Sequence, residues 1–214
     1  MFILMIPNRA FRPAPVTTRD KLLEAGVKLI RTQGFASTSV DELCWEAGVT
    51  KGAFFHHFAS KEALGVATAA YWSQSTSGFF AEAPYHHLDD PLDRVFGYID
   101  LRISLITGPV EGFSCVAGTM VQEAFVSSPA IRDACGASIT ANAAALEADI
   151  AAAMETRGVT ATTALGLAMH IQAVVQGAFI LAKAGGGAAV AREHLIHLRR
   201  YFDLLFKKEN HDAG

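Results

Sequence analysis

The chain has 214 residues, of which 51% are apolar and 18% charged, and a formal charge of −3. That length can bury a sizeable core as one large domain or two small ones. Glycine and proline are too sparse for a disordered or fibrous chain, and Cys44, Cys115 and Cys135 form no CxxC pair and no zinc-ligand spacing.

The charge is unevenly placed. Residues 1–64 hold eight Lys/Arg against six Asp/Glu, and the remainder holds ten against fifteen. A mildly basic head on an acidic body suits a head that meets a polyanion. Residues 1–16 begin with six apolar residues and stop at Pro7, too short for a signal-peptide core and with no basic stretch before it. They read as a flexible arm with Arg9 and Arg12 as its useful charges. No run reaches the ~18 uninterrupted apolar residues of a membrane span. No membrane partner is therefore expected, and a reducing cytoplasm is the expected setting.

Thr17 or Thr18 caps a first helix over 17–33, with Asp20 in its first turn and Leu22, Leu23, Val27 and Ile30 at helical spacing. Gly34 ends it. Ser39 and Glu42, three apart, form a capping box for a second short helix that carries Val40, Leu43 and Cys44 inward and stops at Gly48. Thr50 caps a third, over about 50–57, and Ser60 a fourth that runs through Leu64, Ala67 and Tyr71 to about Ser77. Two short helices joined at Ala47-Gly48-Val49 outline a helix-turn-helix.

The remainder reads as helical too. Pro91 starts a helix with Val95, Ile99 and Ile103 in register, and Gly108-Pro109 breaks it. Further helices are expected over 114–127, 129–157, from Thr160 or Thr162 to Ala184, and over 188–207, where Lys207 and Lys208 complement the helix dipole. No alternating run bounded by hairpin turns and no internal repeat is present, so the fold class is all-α.

The stretch TKGAFFHH carries the chemistry. As the start of a recognition helix it offers free backbone N–H groups to phosphate, the Thr50 hydroxyl and the Lys51 charge. Gly52 and Ala53 let the helix approach a major groove closely. Phe54 and Phe58, four apart, face the head's own core, which leaves Phe55, His56 and His57 outside, a face suited to being covered. Adjacent histidines point ~100° apart on a helix, so His56 and His57 do not chelate one ion together.

Residues 17–71 resemble the DNA-binding head of the TetR/AcrR transcriptional repressors. The resemblance rests on Gly34-Phe35, Thr38-Ser39-Val40, Ala47-Gly48-Val49-Thr50-Lys51-Gly52, His57-Phe58 and Ser60-Lys61-Glu62-Ala63-Leu64. It implies an arm at 1–16, a helix-turn-helix head at 17–63 and a helical ligand-binding and dimerisation body at 64–214. It further implies that Thr38 and Ser39 touch phosphate, and that Thr50, Lys51, Gly52 and Ala53 lie against bases or phosphate. His57 and Lys61 match positions that hold the DNA backbone, and His56 would reach a base or phosphate. Phe55 departs from the family, which usually places a tyrosine there, so its contact is with sugar or a thymine methyl rather than through a hydroxyl.

In the body, 112–125 and 128–135 resemble the middle helices of some family members. The last two helices would pair with their copies in a homodimer, through Leu167, Ile171, Val174, Ala178, Leu195, Leu198 and Phe202. Tyr98, Phe113, Met120 and Phe125, with Glu123, Met169, His170 and Gln176, are the candidate lining of an effector cavity, though helical spacing fits ordinary core equally. Helix four links head to body and is the natural lever. The expected function is a dimeric repressor that binds double-stranded palindromic operator DNA and is released by an unidentified small molecule, with no cofactor and no metal. A helical enzyme and a ligand-independent DNA-binding activator are the alternatives. No nucleophile–base pair, carboxylate dyad or phosphate-binding glycine loop supports the enzyme. Cys115 reads as a buried small residue or a redox sensor, and His86-His87 beside Asp89 and Asp90 as a solvated loop or a metal site.

Overall fold

The structure, a computed structural model, describes residues 17–207. The arm at 1–16, with Arg9 and Arg12, and Lys208 lie outside the described residues. Among the described residues, ten α-helices follow one another: α1 (Thr18–Gln33), α2 (Val40–Ala47), α3 (Lys51–His57), α4 (Lys61–Ala81), α5 (Pro91–Leu105), α6 (Val110–Phe113), α7 (Val116–Ala124), α8 (Pro129–Arg157), α9 (Ala164–Leu181) and α10 (Gly187–Phe206). A 3-10 turn covers Pro84–His87 and a π turn covers Ala182–Gly186. No strand occurs among the described residues.

The start signals act as the sequence implies. Thr17 caps α1 in a reciprocal box with Asp20, and Ser39 caps α2 in one with Glu42. These hydrogen bonds hold both carboxyls below their usual range, that of Asp20 chiefly through the Thr17 hydroxyl and that of Glu42 chiefly through the Ser39 N–H. Gly48 closes α2 in the left-handed region at φ 65°, which turns the chain into α3. Three expectations differ. Ser114 is extended, so the helix expected over 114–127 is the shorter α7, with Cys115 as its N-cap, and the short α6 precedes it. Thr163, not Thr160 or Thr162, caps α9, because its hydroxyl accepts the Gly166 N–H. Helix α4 extends past Ser77 to Ala81.

The chain forms two compact units. The first takes the described residues up to Phe79 together with Gly108–Ile139. It thus contains the expected head and also 64–79 and 108–139 of the expected body. Leu22, Leu23, Leu43, Cys44, Phe54, Phe58 and Leu64 make one cluster in it, and Ile30, Trp72, Val116, Met120, Ile131 and Cys135 make another. Burial pushes the Cys135 thiol up to about 12, as expected for an inert packed thiol.

Arg31 is the exception in this core. It is 8% exposed, its Nε has no hydrogen-bond partner, and its guanidinium sits 5.0 Å from the Trp72 ring centre. Burial lowers its pKa to about 10, against smaller opposing effects from Cys115 and Glu111. Taking a charge out of water costs several kcal/mol on the order-of-magnitude scale of ion desolvation. Arg31→Met keeps the apolar stem and removes the charge. We expect the melting temperature to hold or rise by about 2–4 °C by calorimetry. A clear fall would mean that the contact with Trp72 outweighs desolvation.

The second unit takes Phe80–Thr107 and the described residues from Thr140 onward. Here α10 packs against α5 and α9, with Val95, Ile99, Ile150, Leu167, Ile171, Val175, Leu195 and Phe202 buried. Arg94 reaches Asp149 at 2.7 Å, and Arg157 pairs with Asp90, the N-cap of α5. Asp90 is therefore engaged by α5 and Arg157, and the His86 ring lies 2.9 Å from the Phe80 carbonyl. Arg199 bonds Asp100 at 2.7 Å and covers the Phe96 ring at 4.6 Å.

Candidate nucleic-acid interface

Helix α3 is oriented by one residue. Phe54 is fully buried in the cluster of α1, α2 and α4, and Phe58 beyond it is 4% exposed. Because side chains four apart share a helix face, anchoring this face turns the opposite one outward. Thr50, Lys51, Gly52, Phe55, His56 and His57 are all exposed, and Ala53 is half-buried. Thr50 caps the helix by accepting the Ala53 N–H at 3.2 Å. Phe55 is 55% exposed, an uncommon state for a bare phenyl ring with nothing to cover it.

Lys51 is held rather than free. Its ammonium lies 2.8 Å from Asp41 of α2, and that hydrogen bond raises its pKa. Both side chains are largely exposed, so the pair gives little stability and can open toward a phosphate. Ser39, at the α2 N-terminus, is exposed and engaged with Glu42.

Two expected phosphate contacts are corrected. Thr38 is 2% exposed, and its hydroxyl donates to the Gly34 carbonyl at 2.6 Å, so no side-chain donor remains at the surface. Lys61 donates to the carbonyls of Phe35, Ala36 and Thr38 at 3.0, 3.3 and 2.8 Å, and sits 4.6 Å from the Phe35 ring centre. Three acceptors use all three ammonium donors. Lys61 therefore builds the turn between α1 and α2.

Sequence reasoning passed over Trp45. It is 83% exposed on α2, four residues after Asp41 and so on the same flank that meets Lys51. A tryptophan among Cys44, Glu46 and Ala47 on a short amphipathic helix was the available signal.

The residues expected to line an effector cavity are divided between the units. Phe113, Met120, Glu123 and Phe125 belong to the first unit, and Tyr98, Met169, His170 and Gln176 to the second. Phe125 is 56% exposed and Met169 39%, and His170 is exposed with its ring 5.1 Å from Tyr201. Phe113, Met120 and Tyr98 are buried, with the Tyr98 hydroxyl accepting from Arg102 at 2.9 Å. Glu123 accepts the Ala36 N–H at 2.7 Å, on the rim of an open groove of about 320 Å³ that Phe35, Glu62, Ser127 and Ile131 help line.

The expected dimer residues are corrected too. Leu167, Ile171, Ala178, Leu195, Leu198 and Phe202 are each at most 3% exposed within one chain, and Val174 is half-buried. Side chains already packed inside their own unit present no face to a second copy. The outward apolar stripe lies opposite them: Leu165, Met169 and Ile180 on α9, with Ile196, Tyr201 and Leu204 on α10.

Compared with known proteins, residues 22–68 match the family model described as bacterial regulatory proteins of the tetR family. Residues 91–190 match that of the C-terminal domain of LmrA/YxaF-like transcriptional regulators. The transcriptional repressor NemR of Escherichia coli is 48% identical over 50 residues, 23% of this chain and 25% of NemR. The uncharacterized HTH-type regulator YerO of Bacillus subtilis is 37% identical over 54 residues, 25% of this chain and 19% of YerO. These matches thus span a quarter or less of the curated relatives' length. A crystal structure of a TetR-family regulator from Agrobacterium tumefaciens superposes with a TM-score of 0.76 at 24% identity, covering 88% of this chain and 98% of that one. The reduced form of E. coli NemR does so at 0.72 and 25% identity, covering 86% and 96%.

Proposed function

We propose, from the premise that this chain belongs to the TetR family of bacterial transcriptional regulators, that it is a homodimeric repressor of palindromic operator DNA, released by a small molecule. The observation that carries the DNA half is the outward face of α3. With Phe54 locked inside, Thr50, Lys51, Gly52, Phe55, His56 and His57 stand together at the surface. That face offers a charge, a hydroxyl, imidazoles and an apolar ring to one groove.

The homodimer has separate support. Within Ala164–Phe206 an 18-residue window has a mean hydropathy of 1.6, and only 39% of it is buried. On α9, positions 165, 169, 173 and 180 fall in one stripe of under 90° at ~100° per residue. The His170–Tyr201 ring contact joins this stripe to that of α10. A second copy laid on this face would build a four-helix interface in which Glu193, His197 and Arg200, exposed among Ile196, Tyr201 and Leu204, supply the polar contacts. Two recognition helices then read a two-fold operator. The effector acts by binding better to the state that does not fit DNA. The enzyme alternative loses its ground, because the matched families and relatives are regulators.

Binding to the DNA upstream of the gene, followed by fluorescence anisotropy at two salt concentrations, tests the reading. Tight, salt-sensitive binding to one palindromic stretch is expected. Weak binding, equal on every sequence, would sink it. In the same assay Lys51→Ala should lower affinity, reduce the salt slope by about 1 and relax preference at one operator position. An unchanged affinity and slope would remove Lys51 from the interface.

A further inference from the structure

The turn at 34–38 sits between α1 and the Ser39 cap of α2, and each of its carbonyls accepts a hydrogen bond from a side chain. Thr38 donates to the Gly34 carbonyl at 2.6 Å, and Gln33 to the Ser37 carbonyl at 3.2 Å. Lys61 serves the carbonyls of Phe35, Ala36 and Thr38. The Ala36 N–H is taken by a residue far away in sequence, the Glu123 carboxylate of α7 at 2.7 Å. Gly34 is shaped to this contact. Its φ of +89° favours glycine, and a methyl group there would collide with Glu123 Oε1. A second tie lies beside it, where the Ser128 hydroxyl bonds Glu62 of α4.

We infer that Glu123 is a positioning residue for operator binding: its carboxylate fixes the 34–38 turn, and the turn sets where the α2 N-terminus and its Ser39 cap stand. The inference rests on the operator-binding reading and extends it to a residue that touches no DNA. A hydrogen bond from an N–H to a carboxylate is among the stronger kinds, and its loss leaves the turn free to shift. The proton-bearing partner is backbone, so an amide oxygen in place of the carboxylate keeps the acceptor while dropping the charge.

The experiment compares wild type, Glu123→Ala and Glu123→Gln, with operator anisotropy well below each melting temperature and amide hydrogen exchange at Ala36. Glu123→Ala should weaken operator binding about tenfold, with the salt slope unchanged because no phosphate contact is lost. Its Ala36 amide should exchange at least about tenfold faster. Glu123→Gln should recover most of both. A general packing defect would move the melting temperature without this rescue. Wild-type affinity in Glu123→Ala overturns the inference while the operator reading stands. If wild type binds no operator, the operator reading fails separately. Unchanged Ala36 exchange in Glu123→Ala then overturns the claim on the turn, and faster exchange reversed by Glu123→Gln sustains it.

Discussion

Replacing Leu204 and Ile180 together by glutamate should give a chain that folds, runs as a single copy in sedimentation, and binds operator at least about 100-fold more weakly. Leu204 is 69% exposed and Ile180 45%, so neither supports its own unit, and the substitutions should leave the melting of a single copy nearly unchanged. In a two-fold interface each change acts twice, since each residue faces the partner's copy of the same patch. Four carboxylates desolvated against leucine, isoleucine and tyrosine cost more than such an interface yields. Operator affinity falls because one head alone makes half the phosphate contacts and loses the avidity of the second. The contrast is Leu198→Glu. That residue is 3% exposed, and its substitution should unfold the unit rather than split a dimer. If the double variant remains dimeric and binds normally, α9 and α10 pair by another face.

Lys61→Ala should also abolish most operator binding, but for a different reason from Lys51→Ala. The Lys61 ammonium is the common donor to three carbonyls of the turn and lies over the Phe35 ring. Hydrogen bonds from a charged donor contribute roughly 1.5–3 kcal/mol each at most, and three losses at one atom are not additive. A loss of about 2–4 kcal/mol for the first unit follows. The expected signature is a lower melting temperature and weaker binding with the salt slope retained. Lys51→Ala should show the reverse, an intact melting temperature and a lower slope, because Lys51 shares only an exposed pair with Asp41. A Lys61→Ala protein of unchanged stability and reduced slope would restore Lys61 to the phosphate backbone.

The sequence by itself determined the helix-turn-helix and most of the helices. Capping boxes at Thr17 and Ser39, the Thr50 cap, Gly34 and Gly48 are local devices, written in residues three or four apart, and they work the same way in any tertiary setting. The division of α3 into an inward Phe54 and an outward Lys51–His57 face was legible for the same reason: helical period fixes which side chains share a face. What period cannot say is which apolar face meets its own chain and which meets a partner. Helix α9 is apolar nearly all round, and α10 carries apolar residues on more than one side, so period alone does not tell Leu167 and Leu198 from Ile180 and Leu204. Only packing against α5 and the rest of the second unit separated them. Tertiary structure likewise decided the roles of Lys61 and Glu123. A lysine and a glutamate at helical positions read as surface charges until a turn 23–26 residues away, or 87, brings its bare carbonyls and one N–H within reach. Polar backbone that leaves a helix must find partners wherever the fold supplies them, and that address is set by contacts between distant segments rather than by local sequence.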